Sequence, residues 1–205
     1  MHPSPAIVNL PRKHHSKPIE TPSYRLHAPR LQMQDPRSYD ALYGYGEFLV
    51  SNRLYLERLP SSVHETDIMD LLRSCHPILV QLEHNVDHSN GYVEFASKEQ
   101  ADRAYTLFNG AKIGNQIRFQ PKIAPPGYND PEATAGLLQI ENLPENTKDH
   151  TLYDIFRRFG PMNVCKIIVD DGAVFRGNAL VQYFREEAAD MAVTVMASFN
   201  DKIRK

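Results

Sequence analysis

The stretch RLYLERLPSSV, residues 53–63, returns later in the chain as LLQIENLPENT, residues 137–147. Each alternates apolar and polar residues and then breaks at a proline. In the first copy this puts Leu54 and Leu56 on one face of a strand and Tyr55 and Glu57 on the other. The segments downstream keep the same order in both places. SSVHETDIMDLLRSC begins with Ser and early acids, then sets Ile68, Leu71 and Leu72 at helical spacing. ILVQLEH and GYVEF read as strands. SKEQADRAYTLFNG reads as a helix opening at Ser97, with Glu99 and Gln100 close behind, and closing on Gly110. QIRFQPKI reads as a further strand.

The second copy runs through the helical DHTLYDIFRRFG, with Leu152, Ile155, Phe156 and Phe159 on one face. The strands NVCKIIV and RGNALVQYF come next, then the helix REEAADMAVTVMASF. Even the endings align, LFNGAKIG against SFNDKIRK. A repeated strand-helix-strand-strand-helix order is a stronger sign than any single motif. Alternation alone predicts an α+β fold of strands backed by helices. The first copy continues into a strand after KIG, whereas the second stops at Lys205 where its last strand is expected to begin. That sheet is expected to be completed by a longer parent chain or another segment, since an open edge invites pairing. The domain reading is a largely disordered tail over 1–50, a first domain over 51–123, a Pro/Gly linker over 124–136 (APPGYNDPEATAG) and a second domain over 137–205. Within the tail, PRKHHSKP is only weakly basic, His14 and His15 lack partner ligands nearby, and YGYGEF (43–48) is placed to pack on the first domain.

Bulk properties narrow the function. The chain has 205 residues, with 23 Lys+Arg against 25 Asp+Glu and a net charge of −2. Residues 52–123 hold 8 basic and 9 acidic residues and residues 137–205 hold 9 and 10, so neither domain is held on nucleic acid by bulk charge. Two cysteines, Cys75 and Cys165, give neither a disulfide framework nor a Cys-rich zinc site and are expected to be reduced and buried. No run of 18 apolar residues and no hydrophobic signal core occurs, so no membrane partner is expected. No glycine-rich phosphate loop, metal-ligand spacing or nucleophile motif appears, which argues against an enzyme and predicts no cofactor, metal or small-molecule substrate. Asp170–Asp171 and Glu186–Glu187 read as turn and first-turn acids.

Four segments carry a resemblance. LYLERL with HSNGYVEF (88–95), and LQIENL with RGNALVQY (176–183), resemble the hexamer and octamer signatures of the RNA recognition motif family. The likeness covers residues 52–123 and 137–205. It implies two ferredoxin-like βαββαβ domains (α/β plaits), the second lacking its last strand, each with an open sheet face for single-stranded RNA. It also implies a nuclear or cytoplasmic role in mRNA processing, stability, transport or translation.

On such a face an aromatic ring offers a stacking platform worth about 1–3 kcal/mol per base, and strand geometry sets platforms at every second residue. Tyr55 holds the hexamer's aromatic position and Tyr92 one of the octamer's two. Leu54, Leu56, Val93 and Phe95 then face the core. Asn90 stands in place of the second octamer aromatic and His88 in place of the leading Lys or Arg, while Arg58 replaces the usual Asn before the hexamer's last Leu. Arg118, Gln120 and Lys122 alternate outward on the fourth strand, within reach of bases or phosphates. Arg53 stands just before the hexamer and Arg58 near its end.

The second copy keeps the framework but not the platforms. Its three stacking positions are Gln139, Asn178 and Leu180. Arg176 can meet a phosphate, and Gln139, Asn178 and Lys166 can hydrogen-bond, but Leu180 and Ile168 form an outward apolar patch suited to protein. The leading expectation is RNA binding by the first domain, with the second assisting or recruiting a protein. The rival is a protein-interaction scaffold in which both sheets face partners and RNA is incidental.

Overall fold

The computed structural model describes residues 47–114, 117–170 and 172–202, with side chains as far as residue 196. They form two compact units, one over 47–132 and one from Ala133 onward. The tail as far as Gly46 lies outside the described residues, with PRKHHSKP, His14, His15 and Tyr43.

The first unit runs β1 (Arg53–Pro60), α1 (Glu65–Leu71), a 3-10 turn (Arg73–Cys75), β2 (Pro77–His84), β3 (His88–Phe95), α2 (Lys98–Phe108), β4 (Lys112–Ile113) and β5 (Ile117–Arg118). Its sheet is antiparallel in the order β1-β3-β2, so the octamer strand is central. The alternation read from the sequence holds: Leu54, Leu56, Val93 and Phe95 are all 0–1% exposed. Ile68 and Leu72 of the first helical segment, Ala101, Ala104 and Tyr105 of α2, and Phe119 are buried with them. Burial pushes the Tyr105 hydroxyl up to about 12, with Asp130 adding to the shift. Ser97 caps α2 by accepting from the Gln100 amide at 3.3 Å. α1 instead starts at His64, whose amide donates to the Asp67 carboxylate at 2.9 Å while the Asp67 amide donates back to the His64 carbonyl at 3.1 Å.

The expected fourth strand, QIRFQPKI, is divided. Ile117–Arg118 pairs with Lys112–Ile113 in a small hairpin, and among the described residues of this segment only Lys122 bridges β1, exchanging two backbone bonds with Tyr55 at 2.9 and 2.7 Å. Two causes are visible. Pro121 has no amide to donate, and the Phe119 backbone pairs with Gly110 and Ala111 instead. The alternation nonetheless survives, with Phe119, Pro121 and Ile123 buried and Arg118, Gln120 and Lys122 exposed.

The flanks are less loose than their composition suggests. Val50 is buried and the Lys98 ammonium lies 5.0 Å over the Phe48 ring. Past Ile123, the Asp130 carboxylate folds back to accept from the Ile123 and Ala124 amides, both at 2.8 Å.

The second unit repeats the order as β6 (Leu137–Ile140), α3 (Asp149–Phe156), a 3-10 turn (Arg157–Phe159), β7 (Met162–Val169), β8 (Phe175–Tyr183) and α4 (Glu186–Lys202). Its sheet has the order β6-β8-β7, three strands among the described residues. Leu152, Ile155, Phe156 and Phe159 are buried, as their spacing predicts. Tyr183, at the octamer's last position, is fully buried and donates its hydroxyl to the Phe156 carbonyl at 2.8 Å. Cys75 and Cys165 are free and buried, and burial pushes both thiols up. Among the described residues no helix is long and apolar enough to cross a membrane.

Candidate nucleic-acid interface

Strand register assembles a row of side chains across the face turned away from the core of the first unit. Tyr55 on β1 stands opposite Tyr92 on β3, Tyr92 opposite Gln81 on β2, and Lys122 opposite Tyr55 on the outer side. Directly opposed residues share a face, so these four form one line. Both rings are half-exposed. The Tyr92 hydroxyl donates to Gln81 Oε1 at 2.8 Å, which fixes the ring's far end.

One row away Arg53 opposes Glu94. Arg53 Nε donates to Glu94 Oε2 at 2.9 Å, and a second guanidinium nitrogen lies 2.7 Å from the same oxygen. That bond holds the Arg53 guanidinium above its ordinary range. The same guanidinium sits 4.5 Å from the Tyr92 ring centroid, a cation–π contact. Tyr92 is therefore presented with an arginine laid on it. Neither this pair nor the Gln81 bond can be read from the residue pattern, because both depend on register.

Asn90 performs a task the sequence does not announce. β1 bulges between Leu56 and Leu59, and Arg58 adopts a left-handed backbone with φ 53°. The Asn90 side chain accepts from the Arg58 amide at 2.9 Å, satisfying the donor that the bulge leaves over. Asn142 takes the matching place in the second copy with φ 61°. Asn tolerates this conformation better than most residues, which explains why it suits the position.

The cations expected to meet phosphate are already engaged. Lys122 Nζ lies 3.4 Å from Asp130 Oδ2. Arg118 donates to the Gly110 carbonyl at 3.1 Å. Gln120 is exposed, and His88 is half-buried opposite Pro60.

In the second unit the matching row is Gln139, Leu180 and Lys166. It holds no ring. Gln139 donates to Glu141 at 3.2 Å. Asn178 opposes Ile168, which is 37% exposed, and Leu180 is half-buried. Val169 and Val174, at the mouth of the β7–β8 hairpin, are 47% and 46% exposed. Arg176 Nε donates to Asp170 Oδ2 at 3.0 Å, while Asp170 Oδ1 accepts from the Gly172 and Val174 amides. The Val174 bond first, then Arg176, holds the Asp170 carboxyl below its usual range. Asp170 is thus a turn acid, as expected, and it occupies the arginine.

Two three-stranded antiparallel sheets, each backed by helices and each carrying a hexamer and an octamer on adjacent strands, define the class. The RNA recognition motif profile matches residues 54–117 and 138–202, and the chain belongs to that family. Among curated proteins it resembles Polyadenylate-binding protein 5 of Arabidopsis thaliana, 29% identical over 161 residues, 74% of this chain and 23% of that protein. It also resembles the Sex-lethal homolog of Chrysomya rufifacies, 28% identical over 176 residues, 82% of this chain and 56% of that protein. The chain thus spans about a quarter to a half of these relatives' length. A solved structure titled as a Sex-lethal protein/RNA complex matches at 24% identity and TM-score 0.34, covering 71% of this chain and 89% of that one.

Proposed function

We propose that this chain binds single-stranded RNA, in a non-catalytic role in the handling of mRNA, through the sheet face of its first domain. The observation that carries the reading is the register pairing of Tyr55 with Tyr92, two half-exposed rings side by side on the outer face. Neighbouring platforms on adjacent strands suit two successive bases. Asn90, His88, Gln120 and the exchangeable Lys122 and Arg118 border the site and supply hydrogen bonds to bases, sugars or phosphates. Family membership, and relatives named for polyadenylate binding, support the same reading.

The second domain plays a supporting part, meeting a protein or extending the site. Its row of Gln139, Leu180 and Lys166 lacks a ring, while Ile168 adds exposed apolar surface. Asn178, and Arg176 where it exchanges Asp170 for a phosphate, supply weaker polar contacts at its edge.

Fluorescence anisotropy of the whole chain with short labelled homopolymeric and mixed RNAs tests this. Replacing Tyr55 and Tyr92 together by Ala is expected to weaken binding at least about 25-fold, since each ring is worth about 1–3 kcal/mol. Unchanged affinity in the doubly substituted protein would leave the scaffold reading in its place.

A further inference from the structure

We propose that His64, Glu65 and His84 form a site for a zinc-type divalent cation, tying the start of α1 to the end of β2. One ligand atom from each of the three lies within 4.8 Å of the other two. Glu65 Oε1 stands 3.8 Å from His84 Nε2, and the two imidazole rings are 6.3 Å apart between centroids. Zinc bonds to nitrogen and carboxylate oxygen are about 2.0–2.2 Å, so tetrahedral donors sit roughly 3.3–3.5 Å apart. The gap is small enough for half-exposed side chains to close by rotation. Two imidazoles and one carboxylate suit zinc far better than magnesium or calcium, which prefer all-oxygen shells. The fourth position is left to water.

A second, independent feature prepares the site. His84 Nδ1 lies 2.7 Å from Ser89 Oγ, and Ser89 is 0% exposed. In the tautomer whose Nδ1 donates to that hydroxyl, Nε2 carries the free lone pair on the side of Glu65. Metal-bound histidines are commonly fixed in this way through the other ring nitrogen. His64 is steadied in turn by the paired backbone bonds with Asp67. A bound cation would clamp the base of the short turn between β2 and β3, immediately before the octamer strand. Ligands twenty positions apart give no motif, so spacing along the chain conceals what the fold assembles.

The test is calorimetric titration of the whole chain with zinc chloride, alongside His64→Ala, His84→Ala and Ser89→Ala. Four further histidines, His2, His14, His15 and His27, precede the first domain, so the difference between variants is what counts. The expected result is one binding event that weakens at least about 10-fold in either histidine variant and by about 10-fold in Ser89→Ala. Magnesium chloride should give no such event. Amide resonances of residues 64, 65, 84 and 89 in the unsubstituted protein should shift with zinc, a readout that does not depend on any variant folding. Identical isotherms for all four proteins, or shifts confined to the early histidines, would overturn the proposal.

Discussion

Arg58 and Asn142 occupy the same place in the two repeats and take the same left-handed backbone, φ 53° and 61°. For arginine that conformation costs about 1–2 kcal/mol more than an ordinary one, and Asn90 offsets part of it by accepting the stranded amide. Replacing Arg58 by Asn, the residue of the second copy, should raise stability by about 0.5–1 kcal/mol in urea unfolding. The departure of Arg58 from the family pattern is plain in the sequence, but its meaning is not. Only the bulge shows that the position demands positive φ and that Asn90 serves the backbone. Tyr55 and Tyr92, in contrast, are legible as outward-facing from alternation alone. The arginine resting on Tyr92 is hidden, because Arg53 and Glu94 become neighbours only once β1 and β3 are in register.

At the scale of strands, Gly91 sets how closely β2 approaches β3. A Cβ there would lie 1.9 Å from the Gln81 carbonyl oxygen, whereas the second copy carries the buried Ala179 at the matching octamer position. Gly91→Ala should therefore cost about 2–4 kcal/mol, while Ala179→Gly should cost only about 0.5–1 kcal/mol; thermal melts of the two variants compare them directly. The β7–β8 hairpin gives a pH-dependent counterpart. Because folding lowers the Asp170 pKa, its stabilising effect is present above the unfolded value and lost as the pH falls through the folded one. The Val174 amide resonance should titrate in acid below the ordinary aspartate range, and Asp170→Asn should abolish that titration. The helices and the three main strands of each unit are readable from periodicity. The fourth strand is shorter than its pattern suggests, since Pro121 and the Gly110–Phe119 pairing divide a stretch whose alternation is otherwise sound.

Across the whole molecule, charge is nearly balanced, and among the described residues three cations expected near the sheet faces are paired with acids. Arg53 bonds Glu94, Lys122 faces Asp130 and Arg176 bonds Asp170. These three cations already hold an acid, so each releases fewer counterions from a strand of RNA than a free cation would. With about two phosphates neutralised, the logarithm of the binding constant should fall with the logarithm of salt at a slope of roughly −1.4. A far steeper slope would point to electrostatic coating instead of stacking. Near-neutrality is visible in the counts, but which charges pair is not, since each partner lies on another strand, beyond a turn or past the domain's end.

The RNA binding proposed for this chain turns on nucleobases lying against Tyr55 and Tyr92. Tyrosine-selective labelling, with ring resonances followed as short RNA is added, addresses this most directly. Upfield ring-current shifts at both residues, appearing together and saturating with binding, are the predicted result. Bound RNA that leaves both rings unmoved, while resonances elsewhere in the chain shift, would contradict it.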